Sequence, residues 1–311
     1  MPVPFPVLRI ATRGSALALR QTAIVRERLA AAHADLAAAG AIEIVTIRTT
    51  GDRVQDRPLA EIGGKGLFAK EIEEALRAGR ADCAVHSLKD LETRLPEGFE
   101  LAATLPRADP RDALLARGAS GFWALPQGAR VGTSSLRRRA QLLWRRPDLR
   151  IVPLRGNVDT RLEKLASGDL DAIVVALCGL ERLGRAGLAS EILEPELVLP
   201  AVGQGAIAVE CRAGDERVKA LLRSLDDPDT ALCTGAERAM LATLDGSCRT
   251  PIAGLARLAE GQFAIEGLLA ASDGSAVVCA RRAGPMAEAT ALGAALGDAL
   301  RRRAGPAFGL A

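Results

Sequence analysis

Apolar and polar positions alternate in short blocks along the first half of the chain. Residues 7–11 read as a strand, and 16–38 as a helix with Ser15 as its N-cap and Gly40 as its stop. Residues 42–48 alternate again as a strand. A long loop, 49–66, holds Gly63-Gly64-Lys65-Gly66. An amphipathic helix over 67–78 follows, ended by Gly79, then a short apolar strand over 83–85 that runs into His86-Ser87-Leu88-Lys89-Asp90. Strand and helix alternating in this way predict an α/β domain with a largely parallel sheet.

The pattern then repeats. Leu76, Gly79, Asp82, Val85, Leu88 and Leu91 return as Leu165, Gly168, Asp171, Val174, Leu177 and Leu180, each 89 positions later. Thr12-Arg13-Gly14-Ser15 and Thr133-Ser134-Ser135 each follow a strand and open a helix. The prediction is two similar α/β domains, 1–105 completed by 206–223, and 106–205, with 195–205 as the return linker. Residues 224–311 differ: a helix over 230–244, strands over 252–258, 263–270 and 276–283, and a helix over 287–303 predict a small α+β domain.

Composition narrows the function. With 311 residues there is room for two or three domains with proper cores. The net charge of +3, from 41 basic and 38 acidic residues, argues against a general nucleic-acid or membrane-surface binder. Having no Tyr and two Trp argues against stacking platforms for single strands. The N-terminus lacks the charged and apolar regions of a signal peptide, and no apolar run is long enough to span a bilayer. Six scattered cysteines form no Cys-x-x-Cys pair and two histidines accompany them, which speaks against zinc and for a reducing cytoplasm.

Three places carry candidate chemistry. Cys248, in Gly-Ser-Cys-Arg-Thr-Pro, sits where Gly246 and Ser247 imply a turn and Pro251 bars a continuing helix; Arg249 beside it favours the thiolate. Such a cysteine is a nucleophile, a covalent attachment point or a small apolar filler. The strand-to-helix turns offer anion sites, because a helix N-terminus presents unpaired N–H groups and the positive end of its dipole. Thr133, Ser134 and Ser135 add hydroxyls there, Arg137 and Arg138 follow, Arg155 opens the next helix, and Arg13 with Ser15 repeats the arrangement upstream. Arg139, Arg145 and Arg146 read as a solvated face. Asp90 lies just past a buried strand, where ligands of open α/β sheets bind, and a carboxylate there stabilises a developing cation or handles protons. Its repeat counterpart is Gly179, so the shared scaffold does not require it. Gly63–Gly66 lacks the full phosphate-loop spacing and its Lys-Ser/Thr pair, and its glycines suggest a flap.

Taken in order, Ala11-Thr12-Arg13-Gly14-Ser15, the segment 63–68, Val85-His86-Ser87-Leu88-Lys89-Asp90, the segment 131–138, Leu154-Arg155-Gly156-Asn157-Val158, the segment 200–205 and the Cys248 loop closely resemble the porphobilinogen deaminase (hydroxymethylbilane synthase) family over nearly the whole length. The resemblance implies three domains, two like periplasmic binding proteins. It implies a cytoplasmic, monomeric transferase that joins four porphobilinogen molecules head to tail with loss of ammonia and releases hydroxymethylbilane. It implies a dipyrromethane cofactor held by a thioether to Cys248, and Asp90 as the catalytic acid. Ser87, Lys89, Thr133, Ser134, Ser135, Arg137, Arg138 and Lys65 are implied as cofactor contacts. Arg13, Ser15, Arg155, Arg161, Arg182 and Gln204 are implied as substrate or chain contacts. No metal, nucleic acid or membrane is implied.

Two positions depart from the family pattern. Glu92 stands where the family usually has Pro, and Glu61 where some relatives carry Lys. A non-catalytic two-domain anion binder would account for the arginines, but not for Cys248 on a third domain or for Asp90 on one domain only. A cysteine-nucleophile hydrolase would want a histidine partner, and only His33 and His86 exist.

Overall fold

The computed structural model describes residues 7–53, 68–245, 250–304 and 308. From the N-terminus it runs β1 (Leu8–Arg13), α1 (Ala16–Ala32), α2 (Ala34–Ala37), β2 (Ile42–Ile47), α3 (Thr50–Arg53), α4 (Lys70–Arg77), β3 (Cys83–Ser87), a 3-10 turn (Leu88–Asp90) and β4 (Phe99–Thr104). The second domain contributes β5 (Asp112–Ala116), β6 (Arg130–Gly132), α5 (Leu136–Arg145), β7 (Arg150–Val152), α6 (Val158–Ala166), β8 (Ala172–Ala176), α7 (Leu177–Arg182) and β9 (Glu191–Leu193). The chain then returns as β10 (Ile207–Arg212) and α8 (Glu216–Leu222), continues through α9 (Pro228–Thr243) and the antiparallel β11 (Ile252–Ala259), β12 (Gln262–Ala270) and β13 (Val277–Gly284), and closes with α10 (Ala289–Arg303).

The two α/β domains share one plan. The first sheet has the order β2-β1-β3-β10-β4 and the second β7-β6-β8-β5-β9. In each, the first three strands are parallel and the fourth runs antiparallel to both neighbours. Both sheets are therefore mixed, which corrects the largely parallel expectation. The reason is that the antiparallel strand comes from a distant part of the chain, and local periodicity does not carry that pairing.

The 89-residue repeat is structural. β3 and β8 stand 89 positions apart at both ends. Gly79 and Gly168, with φ of 67° and 93°, end the preceding helices in the left-handed region that favours glycine. Asp82 accepts from the Arg9 N–H at 2.7 Å, and Asp171 accepts from the Arg130 N–H at 2.7 Å. Side chains alternate across each sheet as a pleat requires. In the first, Leu8, Ile10, Cys83, Val85 and Val209 pack with Val25 and Leu29 of α1, while Ala11 and Ala84 meet Ile72 and Leu76 of α4. In the second, Val131, Ala172 and Val174 pack with Leu142 of α5, while Ala113, Leu115, Ile173 and Val175 meet Leu165 of α6.

Local departures have local causes. The helix expected over 16–38 breaks at His33, whose backbone is extended and whose Nε2 lies 2.9 Å from the Leu221 carbonyl. The loop expected over 49–66 opens with the short α3 and otherwise lies outside the described residues. Among the described residues, 7–53, 68–107 and 206–231 form one compact unit, and 108–205 with 232–304 form another. In the latter, the fully buried Glu237 accepts N–H groups from Gly203 at 2.7 Å and Ala256 at 2.8 Å, tying the return linker to β11.

Candidate active site

In the first unit a pocket gathers Arg13, Ser15, Gln21, Phe68, His86, Ser87 and Asp90. Ser15 caps α1, its Oγ accepting the Ala18 N–H at 3.3 Å. Gln21, buried one helical turn on, donates to Ser87 Oγ at 2.8 Å and fixes that hydroxyl. Asp90 ends the 3-10 turn after β3 and is exposed, whereas Leu88 beneath it is buried and donates its N–H to the Ala206 carbonyl at 3.1 Å. Lys89 shares this turn and is half-buried.

Arg13 is already engaged. Its guanidinium bonds to Asp52, with Nε 3.1 Å from Oδ1, and lies 4.1 Å from the centroid of the Phe68 ring. Burial raises the Asp52 carboxyl, but Arg13 outweighs it and holds Asp52 below its ordinary range. Gly51 makes this closeness possible, since a Cβ there would fall 2.1 Å from the Phe68 ring. Asp52 and Phe68 were not singled out in the sequence, because neither shows its partner within its own element.

The second unit holds a different arrangement. Arg137 and Arg138 do not stand open at the start of α5; each is 5% exposed. Arg137 reaches Asp112 at 2.8 Å and the Leu199 carbonyl at 2.7 Å. Arg138 reaches the other Asp112 oxygen at 2.7 Å and the Val174 carbonyl at 3.0 Å. Gln204 adds a bond to Asp112 at 2.8 Å. Burial alone would push Asp112 up; the two guanidiniums outweigh it and hold the carboxyl well below the usual carboxylate range. Two cations on one carboxylate leave one positive charge in excess, and among the described residues the Nε atoms of both arginines have no hydrogen-bond partner.

Around this pair, backbone N–H groups donate to three hydroxyls. Thr133 Oγ1 accepts from Ser135 at 3.2 Å, Ser134 Oγ from Leu154 at 3.0 Å, and Ser135 Oγ from Arg138 at 3.4 Å. A hydroxyl that accepts keeps its own hydrogen to donate. Asn157 caps α6 by accepting the Thr160 N–H at 2.9 Å, Arg155 is half-buried two residues before it, and Arg161 Nε donates back to the Gly156 carbonyl at 2.9 Å. Arg182 donates to the Gly205 carbonyl at 2.6 Å, and burial lowers its pKa.

Cys248 and Lys65 lie outside the described residues. The other cysteines suit a passive role. Cys83 and Cys211 face each other across β3 and β10, both fully buried; burial pushes the Cys83 thiol up and Cys211 up to about 11. Cys178 and Cys233 are buried, and the exposed Cys279 is raised by partial desolvation.

A family model described as "Porphobilinogen deaminase, dipyromethane cofactor binding domain" matches residues 8–220, and one described as "Porphobilinogen deaminase, C-terminal domain" matches 231–302. The chain is 54% identical over 304 residues to a porphobilinogen deaminase of Paracoccus denitrificans, covering 98% of this chain and 96% of that one. It is 50% identical over 308 residues to a chloroplastic porphobilinogen deaminase of Oryza sativa subsp. japonica, covering 97% and 85%. Among solved structures, a periplasmic binding protein of an ABC transporter from Brucella ovis matches with a TM-score of 0.43 and 15% identity over 76% of this chain and 68% of that one, a likeness too distant to bear on function. Among the described residues, no helix is long and apolar enough to cross a membrane.

Proposed function

The chain belongs to the porphobilinogen deaminase family, and from that premise we propose that Asp90 is its catalytic carboxylate and Cys248 the anchor of its dipyrromethane. The enzyme is a transferase. It condenses four porphobilinogen molecules head to tail, releases ammonia at each step and yields the linear tetrapyrrole hydroxymethylbilane. Its relatives at 50–54% identity set aside the reading of a non-catalytic anion binder.

The observation that carries the assignment of roles is the first-domain pocket that gathers Arg13, Ser15, Ser87 and Asp90. Porphobilinogen brings an acetate and a propionate, which Arg13 and the N-terminus of α1 suit by charge and by donor geometry. For Arg13 to take a substrate carboxylate, it exchanges Asp52 for that group. Departure of ammonia leaves the substrate's pyrrole methylene electron-poor and cationic. The Asp90 carboxylate opposes that charge and accepts hydrogen bonds from pyrrole N–H groups. Ser87, held by Gln21, and Lys89 flank it and bind carboxylates or ring N–H groups of the chain.

Dipyrromethane supplies a primer with a nucleophilic pyrrole carbon. The donor set of the second domain fits such a polycarboxylate: a surplus positive charge at Arg137 and Arg138, two unpartnered Nε–H groups, and the hydroxyls of Thr133, Ser134 and Ser135. Lys65 is proposed as a further cofactor contact on the strength of the family resemblance. Arg155, Arg161, Arg182 and Gln204 serve the lengthening chain, whose negative charge grows with every unit. A cytoplasmic location and a monomeric state belong to the same proposal, resting on the scattered cysteines and the family resemblance.

Intact mass tests the anchor. The parent protein carries added mass on Cys248, and Cys248→Ala has the bare polypeptide mass and no turnover. An adduct mapped to Cys83, Cys178, Cys211, Cys233 or Cys279 overturns the assignment.

A further inference from the structure

Beneath the Asp90 turn lies a group of buried titratable side chains that the roles above leave unused. Glu210 of β10 is fully buried, His86 of β3 is 7% exposed and Glu73 of α4 is 8% exposed. His86 Nε2 lies 3.0 Å from Glu210 Oε2. With a proton on Nε2 the contact is attractive, and among the described residues that nitrogen has no other aligned partner. No donor is aligned for a hydrogen bond to either Glu210 oxygen among the described residues. Such a carboxyl group is costly to bury without a polar neighbour. Glu73 approaches from α4. Burial first, then Glu210, then Glu92 beyond the 3-10 turn push its carboxyl up to about 7, against the opposing pull of His86 and of Arg77 on its own helix.

The scaffold does not call for this group. The corresponding positions of the second domain are Leu162, Val175 and Leu115. The first two stand 89 residues after Glu73 and His86, and Leu115 pairs with Ile173 as Glu210 pairs with Ala84. All three pack in one apolar cluster. Fitted hydrophobic side chains commonly replace a buried ion pair at no loss of stability, and the second domain is built that way. What the first domain has in addition is Ser87 and Asp90 on the turn after its third strand, where the second has Ala176 and Gly179. His86 shares the pocket wall with both, and the turn hangs from β10 through the Leu88–Ala206 bond.

We propose that Glu210, acting through the Nε2–H of His86, is a positioning residue for the Ser87–Asp90 turn. The proposal rests on the reading of Asp90 as the catalytic carboxylate. It assigns the buried charge to holding a strand end in register under a reacting centre, where a displacement of about 1 Å costs up to about a hundredfold in rate.

The chain has only two histidines, so nitrogen-15 labelling of histidine in the cofactor-loaded enzyme resolves His86 from His33. The expected spectrum has a protonated Nε2 on His86. Glu210→Gln shifts the signal and lowers kcat by about tenfold or more with little change in KM, and Glu210→Asp restores part of both. An unprotonated Nε2 on His86 in the parent overturns the proposal even if Glu210→Gln does not fold. Unchanged kcat in a folded Glu210→Gln overturns it as well. Failure of the Asp90 reading is distinguishable, because Asp90→Asn would then keep its rate while the His86 signals stay as described.

Discussion

The two α/β domains have the same strand order, the same antiparallel fourth strand, the same glycine stops and the same aspartate bracket at the base of the third strand, yet they place their polar residues differently. Where the first has Asp90, the second has Gly179; where the second has the buried Asp112 opposite Ala176, the first has Ile207 opposite Ser87. A duplicated scaffold is its own control. Residues common to both copies answer to folding, and a charge present in only one copy needs another reason. That asymmetry is what supports the roles proposed for Asp90 and the His86–Glu210 pair in the first domain and for the Asp112–Arg137–Arg138 cluster in the second.

The sharpest way to break the comparison is Asp90→Asn, which keeps shape and removes charge. Turnover should fall by about 10²–10⁴, the usual cost of losing a positioned electrostatic or acid–base group. Folding and the Cys248 adduct should survive, because the equivalent turn in the second domain does without a carboxylate. Single-turnover elongation on protein of confirmed mass is the measurement. A rate within a few-fold of the parent would mean that the asymmetry at this position is not catalytic.

Next in size is the arginine pair. Arg138→Leu leaves Arg137 and Asp112 as a balanced pair, so the fold should hold while the surplus charge disappears. A charge-assisted hydrogen bond is worth about 1.5–3 kcal/mol, so cofactor loading or elongation should weaken by roughly tenfold or more. Arg139→Leu, exposed on the same helix, is the control, and equal losses in both would show the effect is not specific to the cluster. Asp112→Asn is the contrasting variant. It strands two buried guanidiniums and should cost about 3–5 kcal/mol of stability in urea unfolding.

Much of the architecture was legible in the chain, and what was not has identifiable causes. The elements of the third domain fell within a few residues of their places, because antiparallel strands and an amphipathic helix announce themselves by local period. The 89-residue repeat, the cap at Ser15 and the helix starts after Ser135 and Asn157 were legible for the same reason. The mixed sheets were not, since β10 returns from beyond the second domain and β5 pairs with β8 and β9 rather than with β6, its neighbour in sequence. Nor was the break at His33, which depends on a carbonyl 188 residues away. Asp112 escaped notice because its importance comes from Arg137 and Arg138 folding onto it. Those arginines read as an open anion clamp, whereas the structure buries them and leaves only their excess charge and two Nε–H groups to answer a ligand.

The smallest expected effect tests the comparison on stability alone. Glu73→Leu installs the residue type that the second domain uses at Leu162. A carboxyl whose pKa rises from 4.5 in the unfolded chain to about 7 in the fold binds its proton more tightly when folded. Below pH 4.5 both states are protonated and Glu73 costs nothing by linkage. Between 4.5 and about 7 the unfolded chain releases the proton first, so the folded state loses ground as pH rises; above about 7 the loss is complete and constant. Glu73→Leu removes that loss. Its stability relative to the parent should therefore climb across this window and then level off, by about 1–3 kcal/mol. Urea unfolding at pH 4, 5.5, 7 and 8 reads the difference directly. A gap that does not change with pH would mean Glu73 is not held neutral by burial and Glu210, and the polar group in the first domain would then be no more than a differently packed version of the leucines and valine in the second.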